Sequence, residues 1–496
     1  MANTFINAMK QNTSFTHTTN GALAHSTTGS ALYDLFARGG AMRQATEKDC
    51  IDLFVEAYKE DPVYARKCLF YLGDCRGGQG ERRFFRACSR YLIDLDYIGF
   101  IWNIHQIPEF RRWDDLIYIT YGTKAWASAV NIIKEQLKMD MDSMVRSEKT
   151  GISLLGKWMP SENASSQKTI EVARQLRKDL DMTAKQYRKM LSTLRERIKV
   201  LERLMSADRW DEIEFDKIPS KAGLIYRNAF AKHDITRERY QKFAKDETTK
   251  VNAKTLYPYE VVKKALDASF YDYNDAERLM VNKYWDNLED YFNDKTFNGI
   301  AVCDTSGSMT CGEGARPIDV AISLAMYCAE RAKGPFNGHY ISFSSRPNLV
   351  TIYGQDFVEK VFNIYKSNLI DSTNLEAVFD LILNLAMRGQ ISAEDMPKNV
   401  IVISDMQINA GSYWSENKVL TEMEKIRQHW KMFGFDMPRL VYWNVQASNA
   451  TILDAGPNVT YVSGCSPVIF ESILTGKTGI SVMYDKLNSP RYEVIV

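Results

Sequence analysis

The stretch AVCDTSGSMTCGEG, residues 301–314, decides how this chain is read. An apolar run stops at Asp304, and Thr305, Ser306, Gly307 and Ser308 follow. Residues two apart on an extended loop share a side, so Asp304, Ser306 and Ser308 can aim oxygen at one point, and Gly307 allows the tight turn between the serines. Carboxylate and hydroxyl oxygens suit a hard divalent cation. Two later stretches extend the set: DSTN, 371–374, puts Thr373 just ahead of a helix, and NVIVISD, 399–405, is a buried strand that closes on Asp405. Asp304, Ser306, Ser308, Thr373 and Asp405 form the expected metal site, for Mg²⁺ or Mn²⁺, with one coordination position open. The plainer reading of the same residues is a helix-capping cluster around a buried aspartate.

Around these stretches the chain alternates strands and helices. FNGIAVC, 297–303, is a short apolar run, and PIDVAISLAMYCAERAKG, 317–334, is a helix with Pro317 at its start and Gly334 past its end. FNGHYISFSS and NLVTIYG read as a strand pair, NLEAVFDLILNLAMRG and VLTEMEKIRQHWKMFG as helices, and RLVYWNVQ as a strand. Such alternation predicts a mostly parallel sheet covered on both faces, a doubly wound, Rossmann-like α/β domain. Ligand sites in these sheets lie at the carboxyl ends of the strands, where the strand order switches direction, and Asp304 and Asp405 both fall at that edge.

Residues 45–296 have a different grammar. ATEKDCIDLFVEAYKEDPVYARKCLFYLGD, ERRFFRACSRYLIDL and AWASAVNIIKEQLKMDM carry apolar residues at helical spacing, with a break at Pro62. Residues 170–210 read as two long helices, the second capped by Thr183. Helices without a β pattern predict an α-helical repeat, HEAT-like domain of paired helices. The expected organisation is an N-terminal arm over 1–19, a helical domain over 20–296 and an α/β domain over 297–496.

With 496 residues, more than one core is expected. No run of apolar residues is long enough to span a bilayer, so no membrane association is expected, and the first residues lack the charged and apolar regions of a secretory signal. The eight cysteines include no C-x-x-C pair, which points to buried free thiols in a reducing, cytoplasmic setting. The net charge of +1 conceals an asymmetry: residues 1–296 hold 47 Lys+Arg against 42 Asp+Glu, and 297–496 hold 16 against 20. Within 151–200 the counts are 11 and 5, a weak polyanion footprint that a solvated helix face explains equally well. No G-x-x-x-x-G-K-[ST] loop and no G-x-S-x-G elbow occurs, and none of the six histidines falls in the metal loops. A phosphate-loop NTPase and a serine hydrolase are therefore excluded, and no enzymatic activity is expected.

DTSGSM with a later Thr373 and the strand-end Asp405 resembles the von Willebrand factor A (VWA) domain and its metal-ion-dependent adhesion site (MIDAS). TTNGALAHSTTGSALYDLFARGG, YLGDCRGGQGERRFF, RRWDDLIYI, LLGKWMPSE, SADRWDEIEFDKIPSKA and LYPYEVV, in that order with VISDMQIN and LVYWNV, resemble the DUF2828 family over nearly the whole chain. That family is similar in architecture to the TROVE-plus-VWA proteins of the Ro type. The resemblance implies a Ro-like scaffold, in which a helical ring binds single-stranded RNA ends and small structured RNA, followed by a metal-binding VWA domain.

Several basic motifs are candidates for that role. In RGGQGERRFFR, 76–86, a glycine-rich turn joins Arg76, Arg82, Arg83 and Arg86, which could grip phosphates; an interhelical turn capped by Glu81 fits as well. FRRWDD places Arg111 and Arg112 beside Trp113, as charge plus stacking requires, or as a buried Trp with Asp114 and Asp115 pairing the arginines. Lys157 and Trp158 sit at a loop or helix end before Pro160. Lys185, Arg188 and Lys189 share one side of a helix. The alternative function is a protein-interaction adaptor, in which the metal's open position takes a carboxylate from an acidic partner segment.

Overall fold

The computed structural model describes residues 6, 9–10, 13–146, 151–312, 314–343, 346–367, 374–389, 391–392, 394–411, 420–447, 451–454, 456 and 458–496. Between Ala31 and Asp286 the described chain forms helices and turns without a strand. Local chemistry sets the helix starts. Asp61 accepts from the Val63 and Tyr64 amides ahead of Pro62, and Thr183 forms a reciprocal cap with Gln186. The two long helices expected over 170–210 are three: Gln167–Asp179, Ala184–Arg197 and Leu201–Ser206. The extra break follows Lys199, whose φ of 47° lies in the left-handed region and ends the helix without glycine or proline. Among the described residues no helix is long and apolar enough to cross a membrane.

The C-terminal part is built on a six-stranded mixed sheet in the order β5-β4-β3-β6-β7-β8. Its strands are β3 (Gly299–Asp304), β4 (His339–Phe343), β5 (Asn348–Thr351), β6 (Asn399–Ser404), β7 (Arg439–Asn444) and β8 (Val459–Ser463). All neighbours are parallel except β4 and β5. Every residue of β3 and β8 is buried, and all but the first of β6, as expected of strands covered on both faces. Successive strands run outward from β3 to β5, and the chain then returns to β6 on the other side of β3. The carboxyl ends of β3 and β6 therefore flank the switch point.

The termini tie the two parts together. β1 (Phe15–His17) and β2 (Leu23–His25) form a hairpin that docks on the α/β part through bridges from Gly21 to Asn409 and His25 to Ile452. Helix Ala31–Gly39 follows, and the Tyr33 hydroxyl accepts from the Tyr461 amide at 2.8 Å on the outer edge of β8, which satisfies a backbone donor on an edge strand. In the opposite direction, residues 490–496 reach back to the helical part, where Arg491 holds Asp74 with two bonds of 2.5 and 2.9 Å.

The helical run leaves the α/β part and comes back to it. Helices Pro258–Ala268 and Ala276–Asp286 pack on Pro317–Arg331 and Phe357–Ser367, with the Trp285 and Phe357 rings stacked at 4.1 Å. The start and end of the run also meet directly. The Tyr257 hydroxyl donates to the Gln79 carbonyl at 3.1 Å, and the Arg43 guanidinium lies 5.7 and 5.8 Å from the Tyr257 and Tyr259 ring centroids while bonding Glu81 at 2.5 Å. Glu81 stands where it was expected to cap helix Arg82–Leu95, but it makes no cap bond; its carboxylate is held by Arg43 instead.

Candidate functional site

At the switch point, β3 delivers Asp304, fully buried, and β6 delivers Asp405, 5 % exposed. The Ser306 amide donates to Asp304 Oδ1 at 2.9 Å, and Ser404, the residue before Asp405, donates its hydroxyl to Asp304 Oδ2 at 2.5 Å. The Ser306 and Ser308 hydroxyls lie 3.2 Å apart, so the alternation read in DTSGS does bring both oxygens to one side. Met406 adopts a φ of 62°, an uncommon conformation for a side-chain-bearing residue, and the turned chain brings the Gln407 amide back to Asp405 Oδ1 at 3.0 Å. Thr373 lies outside the described residues.

Burial, and then the nearby Asp405, push the Asp304 carboxyl up to about 6 against the hydrogen bonds of Ser404 and Ser306. Burial also raises Asp405, although the Gln407 amide and Ser308 hydroxyl oppose it. Beyond burial and the effect of Asp405 on Asp304, the main influences on the two carboxyls are neutral hydrogen-bond donors. Two buried carboxylates held by neutral donors, beside two hydroxyls, are a donor set that a divalent cation satisfies. Among the described residues no three of His, Cys, Asp and Glu gather as a metal cluster, so an ion here would need serine oxygens. The space around Gly307 is open, with nothing within 4 Å of where a Cβ would stand. No sequence signal marks the role of Ser404, which is one small residue inside an apolar strand.

A second site lies in the helical part, in a cleft of about 1040 Å³. Arg76, Arg82, Arg111, Arg112 and Lys157 line it, as do Trp113, Trp158, Tyr226, Tyr257 and Lys221. Three motifs far apart in the chain thus meet on one wall. Most of their arginines are held by acids. Asp115, fully buried, takes Arg82 at 2.8 Å, Arg86 at 2.5 Å and Arg111 at 3.2 Å. Asp114 is chelated by Arg112 with two bonds of 3.0 Å and is also bonded by Arg82. Burial pushes the Asp115 carboxyl up, but Arg111, Arg86 and Arg82 outweigh it and hold the carboxyl below the usual range. Four arginines share these two aspartates, and the cleft lining also carries Glu109, Glu135 and Glu202 alongside Arg76, Lys157 and Lys221.

The paired-arginine reading of FRRWDD is therefore what the chain adopts, except that Trp113 is half-buried on the cleft wall. Arg111 is 4 % exposed and bonds the Gly73 carbonyl, which leaves it no reach to a ligand. Arg112 lies 4.1 Å from the Trp158 ring centroid and Lys157 lies 5.3 Å from it, at the end of helix Leu155–Trp158. Arg83 points away and bonds the Arg43 carbonyl at 3.1 Å. Lys185, Arg188 and Lys189 are exposed on helix Ala184–Arg197 and do not line the cleft. Lys221 and Tyr257 join the cleft only through the fold; they fall in the SADRWDEIEFDKIPSKA and LYPYEVV stretches, which give no sign of a binding role.

Residues 126–296 match a domain of unknown function, DUF2828, a narrower span than the whole-chain resemblance suggested; residues 298–488 match a second, DUF7788. An uncharacterised protein of Acanthamoeba polyphaga mimivirus, L728, is 31% identical over 505 aligned positions covering 94% of this chain and 85% of that protein. A solved structure of the Deinococcus radiodurans Ro (RSR) protein aligns with 88% of this chain and 96% of its own at 13% identity, with a TM-score of 0.39; at that score the likeness carries no argument.

Proposed function

We propose that this chain, which belongs to one family with the mimivirus L728 protein, is a non-enzymatic scaffold that binds single-stranded RNA in its helical part and Mg²⁺ or Mn²⁺ in a VWA-like α/β part. The observation that carries the RNA reading is the cleft wall formed by Arg112, Lys157 and Trp158. A cation stacked on an indole beside a free ammonium offers a base a flat apolar face and a phosphate a countercharge. Lys157 has no ion-pair partner among the described residues, so it can meet a phosphate without first breaking a bond.

For the metal, Asp304, Ser306, Ser308 and Asp405 would be the ligands, with Thr373 as the fifth oxygen. The ion would supply an electrophilic position for an incoming oxygen. Around it this chain's residues hold and orient: Ser404 fixes the Asp304 carboxylate, and the Gln407 amide fixes that of Asp405. Both carboxylates of the set would be engaged by the ion, which supports binding over catalysis.

The test is fluorescence anisotropy of a labelled oligo(U) of about 20 nucleotides across a KCl series. Trp158→Ala should weaken binding by about 1–3 kcal/mol, and Lys157→Gln should lower the salt slope by about one unit. An unchanged slope and affinity in both variants would remove RNA from the cleft. The adaptor reading, in which an acidic segment of a partner meets the metal, is favoured by the open space at Gly307, between the two serines, from which a carboxylate would reach the ion. It predicts binding to acidic peptides that EDTA abolishes.

A further inference from the structure

We infer that the groove between helices Trp126–Val145 and Ala184–Arg197 docks an acidic amphipathic helix of a partner protein. The groove has a volume of about 820 Å³ and lies apart from the RNA cleft, sharing no lining residue with it. Leu137, Met141, Met182 and Met190 contribute apolar surface to it. Lys138 and Lys189 stand exposed on opposite walls, one on each helix.

Charge is the first argument for this occupant. Two basic clusters elsewhere in the helical part are matched: Arg82, Arg86, Arg111 and Arg112 share Asp114 and Asp115, and Arg209 is held by Glu196 and Glu212. Of the basic residues lining this groove, only Lys134 has an ion-pair partner among the described residues, Asp181 at 3.4 Å. Lys138 and Lys189, with Lys185 and Arg188 on the same helix as Lys189, form no ion pair among the described residues. An acidic flank on each side of a docked segment would complete them.

The floor is the second argument, and it separates a helix from RNA. Binding to single-stranded nucleic acid rests on aromatic rings that stack bases, and no aromatic residue lines this groove. Methionine supplies instead a soft, adaptable apolar surface of the kind that accepts helical partners. Length is the third. Lys134 to Met141 and Gln186 to Thr193 each span two helical turns, about 10 Å of rise, so the seated helix presents roughly two turns with an apolar stripe at i, i+3, i+4 and i+7. Lys185, Arg188 and Lys189, candidates for RNA contact in the sequence, belong on this reading to a protein-docking face.

The experiment uses the full chain and a fluorescein-labelled peptide of roughly 16 residues, with leucines along one helical stripe and glutamates beside it. A scrambled peptide of the same composition, a version with lysines for glutamates, and a labelled oligo(U) run beside it. The striped acidic peptide should bind at least tenfold more tightly than the scrambled one. Lys138→Glu/Lys189→Glu should reduce that affinity tenfold or more and should raise affinity for the lysine peptide. Met141→Asp, at a position already 41 % exposed and so harmless to the fold, should weaken the acidic peptide while leaving oligo(U) unchanged. Equal binding of striped and scrambled peptides, no detectable binding, or insensitivity to both variants would overturn the proposal. So would a loss of oligo(U) affinity in Lys138→Glu/Lys189→Glu without a loss of peptide affinity, which would make the groove an RNA surface.

Discussion

Thr19 donates its backbone N–H to the side-chain oxygen of Gln407 at 2.6 Å, a bond between residues 388 apart in the chain. The same glutamine donates its own amide to Asp405 Oδ1 at 3.0 Å, and its carbonyl accepts from the Asn20 side chain. The N-terminal hairpin is therefore fastened to the loop that carries one of the two site carboxylates. Fixing Asp405 fixes the platform on which the hairpin sits.

This linkage predicts that a metal at Asp304 and Asp405 quietens the hairpin. Adding Mg²⁺ should slow amide hydrogen exchange over residues 15–25, because opening of the hairpin would then require release of a loop held at both ends. Gln407→Ala removes the Thr19 bond but keeps the backbone bonds to Asn20 and Asp405, so Mg²⁺ should still raise the melting temperature while slowing exchange over 15–25 less than in the parent chain. Unaltered exchange over 15–25 in a chain demonstrably stabilised by Mg²⁺ would break the link.

The raised Asp304 carboxyl gives a pH dependence with a definite sign. Without metal, the folded state holds its proton up to about 6, whereas the unfolded chain releases it near 4. The folded state binds the extra proton between these values, so stability falls as pH rises through that window. The cost above pH 6 is on the order of 3 kcal/mol. Mg²⁺ competes with the same proton, so its stabilising effect should grow as pH rises through about 6. Melting temperatures in EDTA and in Mg²⁺ across this range test both slopes. Asp304→Asn should flatten the first and remove the second; a mutant that keeps both would place the titration elsewhere.

The sheet edge that carries Asp304 and Asp405 is legible in the strand-and-helix grammar of the sequence. Asp304 and Asp405 each end an apolar run, and a parallel sheet aligns such ends. Thr183 is legible as a cap for the same local reason. Features that depend on distance in the chain are not. Arg112, Lys157 and Tyr257 reach one cleft only because the helical run closes on itself, and nothing near any of them says so. The break at Lys199 carries no glycine or proline; its left-handed backbone turns the Lys199 and Val200 amides back to the Glu196 and Arg195 carbonyls, which closes the helix end. β8 has no comparable local signal, because VTYVS is a five-residue run whose partner, β7, defines it.

Asp115 should be among the least replaceable residues of the helical part. It is fully buried and collects three arginines, one of them 4 % exposed. Removing a carboxylate from such a network leaves buried positive charge uncompensated, so Asp115→Asn should cost about 3–5 kcal/mol. By comparison, Arg83→Gln, which frees only the Arg43 carbonyl at an exposed site, should cost about 0.5 kcal/mol or less. Urea denaturation of the two variants gives the comparison; equal midpoints would show that the arginines find other partners.

Asp74 is the corresponding anchor for the C-terminal segment. Its carboxylate has no exposure and accepts two bonds from Arg491, one from the Tyr492 hydroxyl at 3.0 Å and one from the Arg76 amide at 2.9 Å. It thus joins the turn that opens the RGGQG stretch to a helix more than 400 residues later. Asp74→Ala takes the carboxylate from Arg491 and from the Arg76 amide, and leaves the buried Tyr492 hydroxyl with the Gly77 carbonyl at 3.1 Å. The expected loss is about 3 kcal/mol, with a local signature that a general weakening would lack. Residues 480–496 should exchange amide hydrogens faster than the sheet they follow, while β3 and β6 keep their protection. Arg491→Ala should give a smaller loss of the same pattern, since Tyr492 and Arg76 still hold Asp74. If protection in 480–496 and in the sheet fell together, the segment would be part of one cooperative unit with the α/β core, and Asp74 would be a core residue with no anchoring role of its own.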